Sequence, residues 1–203
     1  MVKRAALVAS VVLITLSAWA QQSKPVIVAE GGQPDDRASA RVLYWNTKVN
    51  AAAGQFAINY GRPVWKSVYE DPTKFDAMTK GKVWRMGSNF WTDLETTMLL
   101  KVAGRAVPAG HYYLGLRRST DGASWSLAFI DPAKVRAAHL DAFEIQKAAV
   151  EFEAPMTAAQ NQAKAEKLTV TLSYPETKIR NVTLLLTWGN LALTAPIEAV
   201  VPE

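Results

Sequence analysis

The sequence predicts a mainly β protein, an antiparallel β-sandwich or barrel-like fold with one or two short helices. Three observations predict it. Short stretches rich in β-branched and aromatic residues recur along the chain, with Gly, Pro, Asn and Asp between them. Several alternate apolar and polar positions, the period of a strand with one face in a core. Only two segments carry a clear helix start, in each case an Asp followed by Pro. The chain has 203 residues, 49% of them hydrophobic and 20% charged, so it can build one sizeable core. It has no Cys, so that core works without disulfides.

The first residues stand apart. Lys3 and Arg4 precede an apolar or small run from Ala5 to Ser17, and Ala18-Trp19-Ala20 supplies an A-x-A cleavage site. The run is shorter than the roughly 20 residues of a membrane-spanning helix. Residues 1–20 therefore read as a secretory signal peptide, and the expected location is exported, periplasmic or extracellular. With no membrane span expected after cleavage, the mature chain should be soluble. Losing Lys3 and Arg4 lowers the formal net charge from +5 to +3, too small a surplus to point to nucleic acid. Residues 21–38 mix Pro, Gly, Gln and acidic residues and read as a flexible lead-in. Residues 39–203 read as a single β-sandwich domain.

Within that domain, residues 41–49 and 54–61 are strands, the second with Phe56, Ile58 and Tyr60 on one face. Arg62-Pro63 ends it, because Pro cannot donate to a ladder. Asp71 as cap and Pro72 in the first turn open a short helix over 71–80, stopped by Gly81. Leu94, Thr96, Met98, Leu100 and Val102 alternate as one strand, and residues 107–110 make a turn. Residues 111–118 and 124–130 flank Ser119–Gly122 as a hairpin. Asp131-Pro132 opens a helix of about three turns, reaching Phe143. Residues 144–153 are ambiguous and lean to strand at their end. Residues 156–167, rich in Ala, Gln and Lys, read as a surface helix or a long loop. Three strands follow, over 167–174, 182–189 and 191–200, and no internal repeat is visible.

The inventory excludes much chemistry. His111 and His139 are the only histidines, so zinc sites made of Cys and His are out. There is no G-x-S-x-G elbow, no Gly-rich phosphate loop and no H-E-x-x-H. No metal and no cofactor are expected. What remains is aromatic and Arg-rich: Trp65, Trp84, Phe90 and Trp91 lie close in sequence to Arg62, Arg85 and Asn89. Arg stacks on Trp and presents a planar fork of donors, which suits carboxylates or sugar hydroxyls. Alternation in Val83–Met86 puts Trp84 and Met86 inward, Val83 and Arg85 outward. Two readings stay open: a core Trp covered by an Arg, or a binding site of Arg62, Trp65, Arg85, Asn89, Trp91, Thr92 and His111.

The stretches "INYGRPVWK", "GKVWRMGSNFWT" and "AGRAVPAGHYYLGL" resemble the signature of the bacterial domain of unknown function 2911 family. That signature runs Y-x-R-P, then G-K-V-W-R-T-G-A-N-E-A-T-T, then G-G-K-x-L-P-A-G-T-Y-S-L. The resemblance covers about residues 38 to 130, with three blocks in order. It implies an exported, mostly β protein and brings no activity with it. Tyr60, Arg62, Pro63, Trp84, Arg85, Gly87, Asn89, Thr92 and Gly110 match its positions. Ser88 stands for Ala, Phe90-Trp91 for Glu-Ala and His111 for Thr, and a W-G-x-Y element after the central hairpin is missing.

The leading functional expectation is a non-catalytic module for a small ligand or glycan, with Trp65 and Trp91 as stacking surfaces and Arg62, Arg85 and Asn89 as polar anchors. The alternatives are a hydrolase or isomerase using Arg85 with His111 or Asp93, and a structural envelope protein with no site.

Overall fold

The computed structural model describes residues 32, 33 and 35–202. The segment read as a signal peptide lies outside them, as does most of the lead-in. The strands are β1 (Arg37–Asn46), β2 (Ala51–Gly61), β3 (Val83–Arg85), β4 (Thr92–Thr96), β5 (Leu99–Val102), β6 (Arg105–Val107), β7 (Gly110–Arg118), β8 (Trp125–Ile130), β9 (Val150–Ser173) and β10 (Asn181–Val200). Among the described residues, the two α-helices are α1 (Pro72–Thr79) and α2 (Pro132–Ala137). All ten strands belong to one antiparallel sheet in the order β1-β2-β4-β7-β8-β9-β10-β5-β6, with β3 beside β7. The sheet folds over into a sandwich and does not close into a barrel.

β9 makes the fold-over. Its first residues pair with β8, from Val150 opposite Ile130 to Met156 opposite Trp125. From Thr157 onward it pairs instead with β10, as far as Ser173 opposite Thr183. The last residues of β10 pair with β5, Ile197 opposite Val102. Phe56, Ile58, Leu94, Leu114 and Phe129 of one layer thus face Leu100, Leu168, Leu184, Leu186 and Ile197 of the other. Tyr60 crosses the core, its hydroxyl accepting the Val170 N–H at 3.0 Å. Pro63–Trp65 continues from β2 along the second layer, with the Trp65 N–H donating to the Glu166 carbonyl and the Leu168 N–H to the Pro63 carbonyl.

Several sequence expectations are corrected here. β1 begins at Arg37, inside the stretch read as lead-in. The strand expected over 94–102 is two strands in different layers. Thr96 and Met98 form the corner, the Thr96 hydroxyl donating to the Met98 carbonyl at 2.7 Å. Alternation survives the corner, so it could not reveal the break.

The helix expected to reach Phe143 stops at Ala137. His139 adopts φ +52°, and its N–H and that of Leu140 donate back to the Arg136 and Val135 carbonyls. This is a Schellman cap with His in the place glycine usually takes. Residues 156–167 are strand, neither helix nor loop. Ala, Gln and Lys favour helix by themselves, but β10 supplies partners for Thr157–Gln160 and Ala165, with register shifts between them. The last two expected strands are one, β10, bulged around Gly189.

A smaller cluster covers part of the outer face of the first layer. α2 and a 3-10 segment (Ala142–Lys147) place Val135 and Ile145 against Val83, Trp91, Tyr113 and Ile130.

Candidate functional site

The signature segment forms an excursion from an interrupted strand. Arg85 pairs with Gly115 and Thr92 with the adjacent Leu114, so β3 and β4 are two halves of one line along β7. Met86–Trp91 leaves that line and returns. The Thr92 hydroxyl closes its neck by donating to the Met86 carbonyl, and Met86 itself is fully buried. Gly61 and Gly87 let the excursion lie directly on the end of β2. A Cβ on Gly87 would stand 2.6 Å from the Thr92 hydroxyl and 3.1 Å from the Gly61 carbonyl oxygen, and one on Gly61 would collide with Ser88.

Two of the polar residues expected as anchors, Arg85 and Asn89, tie this excursion down, and Arg62 bonds outside it. Arg85 donates to the Asn89 carbonyl at 3.1 Å and lies 4.2 Å from the centre of the Phe143 ring. Burial lowers its pKa against the opposing pull of Asp141, though a guanidinium stays charged. Asn89, at φ +63°, donates to Asp35 at 3.0 Å. Arg62 reaches Asp36 at 3.9 Å and the Leu168 carbonyl at 3.5 Å. Trp91 is only 3% exposed and stacks on Tyr113 with centroids 4.6 Å apart. An indole so covered offers no face to a ligand, and Thr92 is likewise buried.

His111 lies elsewhere. It opens β7 opposite Glu95, with Nε2 3.7 Å from Asp93 Oδ1, which also accepts from Asn59 at 3.1 Å. Arg85 pairs four residues further along β7, a separation of about 13 Å at the usual strand rise, with the Trp91–Tyr113 stack between. Arg85, Asn89, Thr92 and His111 do not converge on one concavity, for Arg85 and His111 line different ones.

Trp65 is placed differently. Gly189, at φ +56°, leaves room for its ring, which a Cβ would strike. Trp188 stands beside it edge-on at 4.8 Å, and Trp84 stacks on Trp188 at 4.8 Å with an interplanar angle of 24°. The Trp188 indole N–H donates to the Pro63 carbonyl at 2.8 Å. Tyr69 packs 5.3 Å from Trp65 and Phe75 6.1 Å from it. Together Trp65, Tyr69 and Phe75 line one side of an open cleft of about 330 Å³, with Gln160 and Asn190 also at its surface.

The charges of the cleft are matched. Arg118 holds Asp76 at 2.7 Å and Glu70 pairs with Lys164. Hydrogen bonds from Lys80 and Arg118 keep the Asp76 carboxyl below its ordinary pKa, and Lys164 does the same for Glu70.

The excursion, the two glycines that seat it and the strand order make one assembly, and residues 45–197 match the family described as protein of unknown function (DUF2911). The chain belongs to that family. No curated protein and no solved structure matches it. In this DUF2911 chain, Phe90 stands where the signature has Glu and is 60% exposed at the tip of the excursion. Two signature residues meet Trp188 here: Trp84 stacks on it and the Pro63 carbonyl accepts its indole N–H.

Tyr69, Phe75, Gln160, Asn190 and Trp188 escaped the sequence reading. One signal was present in "TWGN": an isolated Gly inside a strand marks a close approach or a bulge. Gln160 and Asn190 carried none, because 156–167 did not read as strand.

Proposed function

We propose that this DUF2911 chain is an exported, non-catalytic module that binds a neutral glycan, or a similar polyhydroxylated small molecule, in the cleft at Trp65. The observation that carries this reading is the pairing of three aromatic rings with two primary amides on a single open surface. A sugar ring has C–H faces that pack on aromatics and hydroxyls that need both donors and acceptors. Gln and Asn side chains offer both at once. The charged groups of the cleft already neutralise one another, which favours an uncharged ligand over an acid. Export rests on Lys3, Arg4, the apolar run and Ala18-Trp19-Ala20.

Thermal melts and calorimetric titration with neutral oligosaccharides test the reading. A ligand at one hundred times its Kd should add about 2.7 kcal/mol of stability. Gln160 and Asn190 are exposed, so Gln160→Ala and Asn190→Ala should leave the unliganded melt unchanged while weakening binding at least tenfold. Binding that survives both substitutions, or no binding by any oligosaccharide, removes the cleft from consideration. Secretion of the chain fused to a reporter, and its loss when residues 1–20 are deleted, tests export separately.

A further inference from the structure

We propose a second, independent binding site at the end of the sandwich beside β1, for a small carboxylate with an acyl or aryl body. A cavity of about 310 Å³ opens there between residues 42–46, the turn over 174–180 and residues 201–202, at the lower end of the range for ligand pockets. Leu43, Trp45, Tyr174 and Ile179 all line it and are 40%, 52%, 47% and 49% exposed. A cluster of large apolar side chains in contact with water at one place is the usual mark of a binding surface.

The site is held in shape. The Tyr44 hydroxyl donates to the Ile179 carbonyl at 2.9 Å, and the Ala199 N–H donates to the Arg180 carbonyl at 2.8 Å. These two bonds fix the turn against β1 and β10.

Among the described residues, Arg180 is the one charged residue that lines the cavity, and no carboxylate does. Among the described residues it forms no ion pair. A guanidinium offers a fork that matches a carboxylate. A neutral sugar would leave the guanidinium without a counter-charge and set many of its hydroxyls against Leu43, Ile179 and Val201. The chemistry is therefore complementary to that of the Trp65 cleft: one charge and an apolar body, in place of many hydroxyls.

The test uses the full chain with octanoate and 2-naphthoate as probes and 1-octanol as the uncharged comparison, followed by calorimetry and thermal melts. The expected result is saturable octanoate binding that raises Tm and weakens at least tenfold in Arg180→Gln, with partial recovery in Arg180→Lys. Octanol should bind at least tenfold more weakly than octanoate. Tyr174→Ala should also weaken binding, and Asn190→Ala should not. Because Tyr174 and Arg180 are exposed, the unliganded variants should melt with the parent.

Three outcomes overturn the proposal. One is equal binding of octanoate and octanol. Another is octanoate binding that is absent or indifferent to Arg180→Gln. The third is a dimer by sedimentation that Trp45→Ala dissociates, with no probe bound, for then the apolar surface serves a second copy of the chain.

Discussion

Gly87 carries more structural responsibility than any charged residue around it. Its φ of +153° lies where side chains are rarely found, and the Thr92 hydroxyl and Gly61 carbonyl leave no room for a Cβ. Gly87→Ala should therefore destabilise the fold by about 1–3 kcal/mol, read as a lower urea midpoint. A parental midpoint would show that the excursion can move off β2 freely. Arg85 makes a contrast. Its hydrogen bond and ring contact join near neighbours of the excursion and the 3-10 segment, so its removal should cost less than the glycine change. The alternation that put Trp84 and Met86 inward and Arg85 outward was legible in the sequence. That Trp91 would be covered by Tyr113 was not, because their pairing spans two strands that no local pattern connects.

At the scale of elements, legibility followed the capping chemistry. Asp71 accepts from the Thr73 and Lys74 N–H groups at the start of α1, as its place before Pro72 indicated. Asp131 does the same for α2. The far end of α2 was illegible, because His139 carries no stop signal of its own. An L-residue in the left-handed region is strained by about 1–2 kcal/mol, and glycine relieves most of this at some cost in chain entropy. His139→Gly should consequently stabilise the protein by about 0.5–1 kcal/mol, measured by chemical denaturation; a loss of stability would mean that the imidazole makes a contact worth more than the strain. β9 shows the opposite failure. Its Ala-, Gln- and Lys-rich middle has the composition of a helix, and the partners supplied by β10 and by Pro63–Trp65 make it a strand. A propensity of a few tenths of a kcal/mol per residue is readily overridden by a partner strand supplied from elsewhere in the chain.

Across the whole molecule, carboxylates join parts far apart in sequence. Asp36 pairs with Lys167 at 2.6 Å, Glu70 with Lys164, and Asp76 with Arg118 at 2.7 Å. Each carboxyl is held below its ordinary pKa, chiefly by the lysine hydrogen-bonded to it: Lys167 for Asp36, Lys164 for Glu70 and Lys80 for Asp76. A carboxyl whose folded pKa is depressed contributes stability above its unfolded pKa and loses it as pH falls through the folded value. For Asp76 that window opens below its ordinary value of 3.8. Asp76→Asn should therefore lower the urea midpoint at pH 7 by a deficit that shrinks as pH falls below 3.8, and a deficit that stays constant would assign the loss to packing instead. The β-sandwich class was legible from strand count and alternation. The fold-over was not, since it depends on one strand changing partners midway. The two ends of the sheet order carry a final consequence. β1 carries the exposed Arg41 and is bulged between Tyr44 and Trp45, while β6 is three residues long and begins with Arg105. Both ends are poor templates for a strand from a neighbouring molecule, so crowding should not turn this open sheet into a seed for fibres.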